Sequence, residues 1–164
     1  SDNGGGGGSD NTPLRGGKGQ MFEGGIRVPC LVRFPGRIPP GTVCDELLTS
    51  LEIFPTLVKA AGLKPPEGVV LDGFDMMPVL AGKAKSPRRE MFWQRRADRA
   101  ARVDNWKWVD SARGGGLFDL SADVGERQNL SAEKPDVVKM LKARFAAWKK
   151  EMEAAEPRGP FRDY

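Results

Sequence analysis

Ten of the chain's 21 glycines fall within residues 1–25. That stretch, SDNGGGGGSDNTPLRGGKGQMFEGG, has too much backbone freedom and too few apolar side chains for a buried helix or strand to run through it. A loop is expected, and Gly/Ser-rich sequence alone makes a flexible linker, so the stretch from Gly4 up to Lys18, freed by its five-glycine run, is expected to be disordered in isolation. Yet the residues with the most obvious chemistry gather here. Asp2 and Asn3 stand side by side, and a carboxylate and an amide oxygen are hard ligands of the kind Ca²⁺ or Mg²⁺ takes; the same pair also suits a plain turn. Lys18 lies among Gly16, Gly17 and Gly19, a point charge on a backbone that can come close to an anion. Two nucleotide motifs fail. Counting back from Gly17-Lys18 puts Thr12 at the first glycine of a phosphate loop and Gly19 where Ser/Thr belongs, and no G-x-G-x-x-G follows a strand.

At 164 residues the chain accommodates one ordinary domain, or one with a small appendage. No apolar run approaches the ~18–20 residues that span a bilayer, and no basic-plus-apolar leader opens the sequence, so an export signal is absent from this piece or was removed. The net charge of +4 is too mild to demand nucleic acid. There is no histidine, which excludes a Ser–His or Cys–His pair within these residues and leaves Cys30 and Cys44 unable to form a zinc site. The two cysteines are expected as buried thiols, with a disulfide as the alternative.

Along the chain, Ile26–Phe34 is apolar and β-branched around Pro29 and closes at Pro35-Gly36, which predicts a strand. Thr49–Ala61 predicts a helix: Leu51, Phe54, Leu57, Val58 and Ala61 share a face, Thr49 and Glu52 fit a capping box, Gly62 is a stop, and Pro55 places the true start two or three residues in. One helical turn is expected around Met76–Leu80. From Glu90 the texture changes to short aromatic segments split by Asp-Asn and Gly-Gly-Gly. They predict a small antiparallel meander with Trp106 and Trp108 on one side and Lys107 and Val109 on the other. Pro135–Met152 predicts a closing helix whose stripe is Val137, Leu141, Phe145, Trp148 and Met152, packed on the meander, before a tail, EPRGPFRDY.

These motifs, taken in order, carry a resemblance. S-D-N-G, N-x-P-L-R-G-G-K-G, E-G-G-I-R-V-P and a segment ending F-P-G are followed by S-L-E-I-F-P-T-L with A-A-G and by L-D-G-F-D-M-M-P-V-L-A-G. W-K-W-V, L-F-D-L and E-R-Q-N-L complete the series. The succession covers essentially the whole chain and resembles the C-terminal portion of a formylglycine-dependent sulfatase of the arylsulfatase type, in the alkaline-phosphatase-like superfamily. The resemblance implies an enzyme that cleaves sulfate esters. It implies that Asp2 and Asn3 complete an oxygen cage around a divalent cation, usually Ca²⁺ with Mg²⁺ as the alternative, and that Lys18 contacts the substrate's sulfate group. Arg15, Glu23 and Arg27 are expected to form ion pairs that fix the loop.

The departures matter as much. The family's nucleophile lies in C/S-x-P/A-x-R, but Cys30 is followed by L-V-R-F and Cys44 by D-E-L-L. The formylglycine site, the paired aspartates that supply other metal ligands and the assisting histidines are absent from this chain, and Glu52 stands where the family commonly has Asp. The expectation is an α/β piece: residues 1–85 as the end of the large catalytic domain, with active-site loop, strand and helix, and 86–164 as a small subdomain of antiparallel meander plus helix. Its first partner is the N-terminal part of the same enzyme, its substrate a sulfate ester, including sulfated glycans, and alone it is expected to be inactive. The family implies a periplasmic or secreted setting. The competing readings are a non-catalytic sulfatase-like protein and a polyanion-binding module. The latter would use Arg88, Arg89, Arg95, Arg96, Arg99 and Arg102, a strip interrupted by Glu90 and Asp98.

Overall fold

Alternation in W-K-W-V requires a strand with two covered faces, because apolar side chains point both ways from it. In the computed structural model, which describes residues 1–65 and 67–155, this strand lies inside a four-stranded antiparallel sheet. The strands are β1 (Glu90–Arg95), β2 (Asp98–Val103), β3 (Trp106–Asp110) and β4 (Gly116–Asp119), ordered as in sequence. The chain turns between β2 and β3 at Asp104-Asn105, where Asp104 adopts φ 51°. Aspartate tolerates this left-handed conformation better than most residues.

The register Phe92↔Ala101↔Trp108↔Leu117 defines one face. Helix α4 (Pro135–Ala154) covers it. Leu141 and Phe145, one turn apart, are buried there with Ala101, Trp108 and Leu117, and Val137 and Trp148 close the edges. Each such side chain contributes about 1.5–3 kcal/mol when fully buried. Met152 is 43% exposed, so the stripe's last member lies beyond the sheet. The predicted tail, residues 156–164, is outside the described residues.

The opposite face carries Trp93, Ala100, Val109 and Phe118, covered by Met21 and Phe22. Asn3–Val28 therefore belongs to the same compact unit as Glu90 onward, while Ser1–Asp2 and Pro29–Arg89 form the other. The chain passes between the units at 2/3, 28/29 and 89/90, and the glycine-rich loop lies with the sheet. Two apolar side chains, Met21 and Phe22, bind it there, a tertiary contact that local composition does not announce.

In the other unit, a 3₁₀ turn (Ser50–Glu52) leads into α2 (Ile53–Ala60), with the Thr49/Glu52 capping box formed. Pro55 is the third helical residue, within the turn whose N–H groups have no helical acceptor. Glu52 is fully buried and ion-pairs with Arg88, which also donates to the Asp72 carbonyl at 3.0 Å. Thr56 donates to the Glu52 carbonyl at 2.6 Å and accepts from Met76 N–H at 2.8 Å, which ties α2 to α3 (Met77–Leu80). The expected apolar face of α2 is not buried: Leu57 is 62% and Phe54 51% exposed.

Two further expectations are corrected. Arg27–Phe34 forms no strand; Glu23–Ile26 is instead a single helical turn, α1. Every strand among the described residues belongs to the β1–β4 sheet, Pro29 has no N–H to donate, and an extended segment without a ladder is not a strand. Cys30 and Cys44 are free and exposed, neither buried nor bonded, because the segments around them have no covering layer among the described residues.

Candidate functional site

The glycine-rich loop follows a defined path because its backbone bonds to itself. Gly4 N–H donates to Gly25 O at 3.0 Å, Lys18 N–H to Gly5 O at 2.9 Å and Gly24 N–H to Arg15 O at 2.7 Å. Asn11 Nδ2 donates to Gly5 O at 3.2 Å and Gly16 O at 3.0 Å, cross-linking the two glycine runs. Several positions in the loop require glycine for close backbone approach, Gly4, Gly17, Gly24 and Gly25 among them. A Cβ on Gly24 would lie 2.3 Å from Gly16 O, and one on Gly17 2.7 Å from Gly5 O. The glycines are thus space for backbone against backbone. Gly7 and Gly8, with φ 26° and 87°, face open space instead.

Lys18 is exposed on this scaffold. Its stem runs past Gly6, where an added Cβ would meet Lys18 Cβ at 3.4 Å. Arg95 at the end of β1 donates to Gly19 O at 3.3 Å, fixing the residue after it. A cation on a braced backbone is suited to an anionic oxygen, because little reorganisation is needed when charge develops.

Asp2 is exposed and Asn3 half-buried, and they fall in different units although consecutive in the chain. They offer two hard oxygen donors, against the six to eight that Ca²⁺ takes. Among the described residues no group of three or more His, Cys, Asp or Glu could hold a metal ion. Two hard donors are by themselves too few for such a cation.

The three residues expected to fix the loop by ion pairs divide. Glu23, 2% exposed, does so, but its close partner is Lys107 on β3, Nζ to Oε1 2.8 Å. Arg27 is 3.9 Å from Glu23 and half-exposed. Arg15 pairs with no carboxylate among the described residues: its guanidinium lies 3.9 Å over the Phe22 ring and donates to the Glu126 carbonyl at 3.0 Å.

Sequence reasoning missed Lys107 and Glu126, both 0% exposed. Glu126 Oε2 accepts from Glu23 N–H at 2.5 Å, at the start of α1. Lys107 Nζ is 2.8 Å from Glu126 Oε1, a buried ion pair. Burial, opposed by Lys107 and by the Glu23 N–H, pushes the Glu126 carboxyl above its ordinary range, and the neighbouring Glu23 charge adds to the rise. The signal available in the sequence was Val109: a lysine two residues from a buried valine on a strand shares its face.

The arginine strip is largely committed to structure. Arg88 holds Glu52, Arg99 lies 3.8 Å from Asp110, and Arg102 donates to the Asp104 carbonyl at 2.8 Å. No helix among the described residues is long and apolar enough to cross a membrane.

Comparison with known proteins agrees with this architecture. The family described as N-sulphoglucosamine sulphohydrolase, C-terminal, matches residues 17–151. Human arylsulfatase A is 36% identical over 90% of this chain, which covers 35% of that protein. Dog N-acetylgalactosamine-6-sulfatase is 34% identical over 76% of the chain, covering 24% of that protein. A crystal structure of Ps i-CgsB in complex with k-i-k-neocarrahexaose superposes with a TM-score of 0.78 at 28% identity, over 89% of this chain and 34% of that one. The chain spans about a third of the length of arylsulfatase A. The braced Lys18 loop, the sheet it covers and the helix behind them belong to a member of the N-sulphoglucosamine sulphohydrolase C-terminal family, the C-terminal portion of a sulfatase.

Proposed function

We propose that this chain supplies one wall of the active site of a sulfuric ester hydrolase that converts a sulfate ester and water into an alcohol and sulfate. The observation that carries the reading is Lys18, an exposed cation held through its own backbone N–H on Gly5 within R-G-G-K-G. Its role is to bind the sulfate group and balance negative charge on the sulfuryl oxygens while the ester bond breaks. Asp2 and Asn3 would hold part of a Ca²⁺ or Mg²⁺ site, and such a cation, when bound, supplies further charge neutralisation at those oxygens. The formylglycine nucleophile and the other cation ligands would come from a preceding part of the polypeptide, since neither Cys30 nor Cys44 lies in a matching motif. The exposed apolar side chains of the 29–89 unit, among them Leu31 at 98% and Val70 at 91%, support a covering partner of that kind. The names of dog N-acetylgalactosamine-6-sulfatase and of the neocarrahexaose complex of Ps i-CgsB favour sulfated glycans as the substrate class. A periplasmic or secreted setting accords with such substrates and with Ca²⁺ use.

Calorimetric titration of the 164-residue chain with CaCl₂ tests the shared cation site. Millimolar or weaker binding, removed by Asp2→Ala, is expected, together with no hydrolysis of 4-nitrophenyl sulfate. Submicromolar binding would show a complete site and overturn the division of ligands. In a longer polypeptide containing this chain, Lys18→Ala is expected to lower kcat/KM for a sulfate ester by at least about a hundredfold; unchanged activity would remove Lys18 from the site.

A further inference from the structure

We propose that Lys107 is a positioning residue for Lys18, acting through Glu23 and Glu126. The proposal rests on the reading of Lys18 as the sulfate-contacting group; its structural half does not.

Three ionisable residues, each at most 2% exposed, meet between the sheet and the loop. Lys107 projects from β3 on the loop face, between Arg102 and Phe118 in register. It lies 2.8 Å from both Glu23 and Glu126. Burying charges is costly unless they are paired, so an arrangement of two carboxylates on one ammonium persists only where the surroundings dictate it. Glu126 shows the same compulsion in its backbone, with φ 52°. Its left-handed conformation is uncommon for a residue of this kind and is held by the rest of the fold. The turn before it is built for that purpose, as Asp123 Oδ2 accepts from Arg127 N–H at 2.7 Å and Gln128 N–H at 2.8 Å.

The triad meets the loop at a point from which order spreads. Glu126 accepts the Glu23 N–H and Lys107 holds the Glu23 carboxylate, so α1 is pinned at its first residue by backbone and side chain. The next two residues pass the constraint on. Gly24 N–H reaches Arg15 O and Gly25 O receives Gly4 N–H. Gly5, following Gly4, presents its carbonyl to Lys18 N–H. Each link is a backbone hydrogen bond between glycine-rich strands of loop that have no side-chain packing of their own. Without the triad, the segment keeps Met21 and Phe22 in the core, Arg15, Arg95 and the Asn11 cross-links, but loses the charged clamp on the first residue of α1. Lys107 therefore converts a rigid strand position into a fixed place for Lys18, with no contact to substrate required.

Amide hydrogen exchange on the 164-residue chain tests this, comparing wild type with Lys107→Met. Exchange at Gly4, Lys18 and Gly24 is expected to accelerate at least about tenfold, while Ala101 on β2 and Leu141 and Phe145 on α4 stay within about twofold. Lys107→Met combined with Glu23→Gln and Glu126→Gln is expected to restore slow loop exchange, because it neutralises the whole cluster; loss of packing alone would not be rescued this way. Should Lys107→Met fail to fold, Glu126→Ala provides the second arm. It leaves the Lys107–Glu23 pair and removes the acceptor for Glu23 N–H, with the same loop-selective acceleration expected. Unchanged loop exchange, or equal acceleration of loop and sheet, overturns the proposal. A parallel titration with sodium sulfate follows the Lys18 ammonium signal. A wild-type response that weakens in Lys107→Met supports the positioning role. No wild-type response counts against the sulfate role of Lys18, and exchange alone then decides the role of Lys107.

Discussion

Replacing Phe22 with alanine probes whether the glycine-rich loop is part of the core or merely lies on it. Phe22 is 1% exposed and meets Phe118 edge-on, ring centroids 6.2 Å apart, with the Arg15 guanidinium 3.9 Å above its ring. Truncating a buried phenylalanine costs about 3–5 kcal/mol in lost transfer energy and residual cavity. The edge-to-face pair, about 0.5–1.5 kcal/mol, and the cation over the ring, about 0.5–2 kcal/mol, lie inside that range and are not added to it. The cavity would open between the Arg15 guanidinium, Phe118 and Gly114, the last with no side chain to move into it, and about 4 kcal/mol is expected. All four tryptophans, Trp93, Trp106, Trp108 and Trp148, belong to the sheet unit, so fluorescence during urea unfolding reports that unit alone. Phe145→Ala on the helix-covered face is the control: Phe145 is 4% exposed and its loss is of similar size. Exchange at Gly4 and Lys18 should rise selectively in Phe22→Ala. A loss below about 1 kcal/mol, the centre of ordinary point substitutions, or equal loosening of the loop by both variants, refutes the anchoring role.

Arg88→Ala leaves the buried Glu52 carboxylate without its guanidinium, and a cost of about 3–5 kcal/mol is expected. It would appear as faster exchange of the helical amides of α2 and of Met76, and unchanged protection there would show that the capping interactions suffice. Glu126 gives a pH dependence with a definite sign. Burial keeps its carboxyl protonated further up the pH scale than in the unfolded chain, whose value is near 4.5. The associated stability is fully present below that value and is lost as pH rises through the folded value. Wild type should therefore lose stability relative to Glu126→Gln as pH rises above about 4.5, and a wild type that gains stability relative to Glu126→Gln with rising pH would refute the direction.

Local signals make much of this protein legible in its amino-acid order. Capping at Thr49 and Glu52, the stop at Gly62, the turn at Asp104-Asn105 and the stripe Leu141–Phe145 each depend on residues within about one turn or one hairpin of each other, the range over which side-chain spacing decides conformation. The family, and with it the expectation for Lys18, follows from the succession of motifs. Partners distant in the chain are not legible. Lys107 and Glu23 are 84 residues apart, and Glu126 and Glu23 are 103 apart. Nothing in W-K-W-V says that the covering layer on the lysine's side is a glycine-rich loop offering carboxylates. The same limit explains Ile26–Phe34 and the open face of α2. Periodicity reveals an apolar face, but whether a ladder or a layer meets it depends on what else the fold brings there. Residue order thus sets most of the helices and strands, the family and the cation at residue 18. That a buried lysine on β3 holds that cation's loop emerges only when the chain is folded, because burial turns an ordinary surface charge into an obligatory pair.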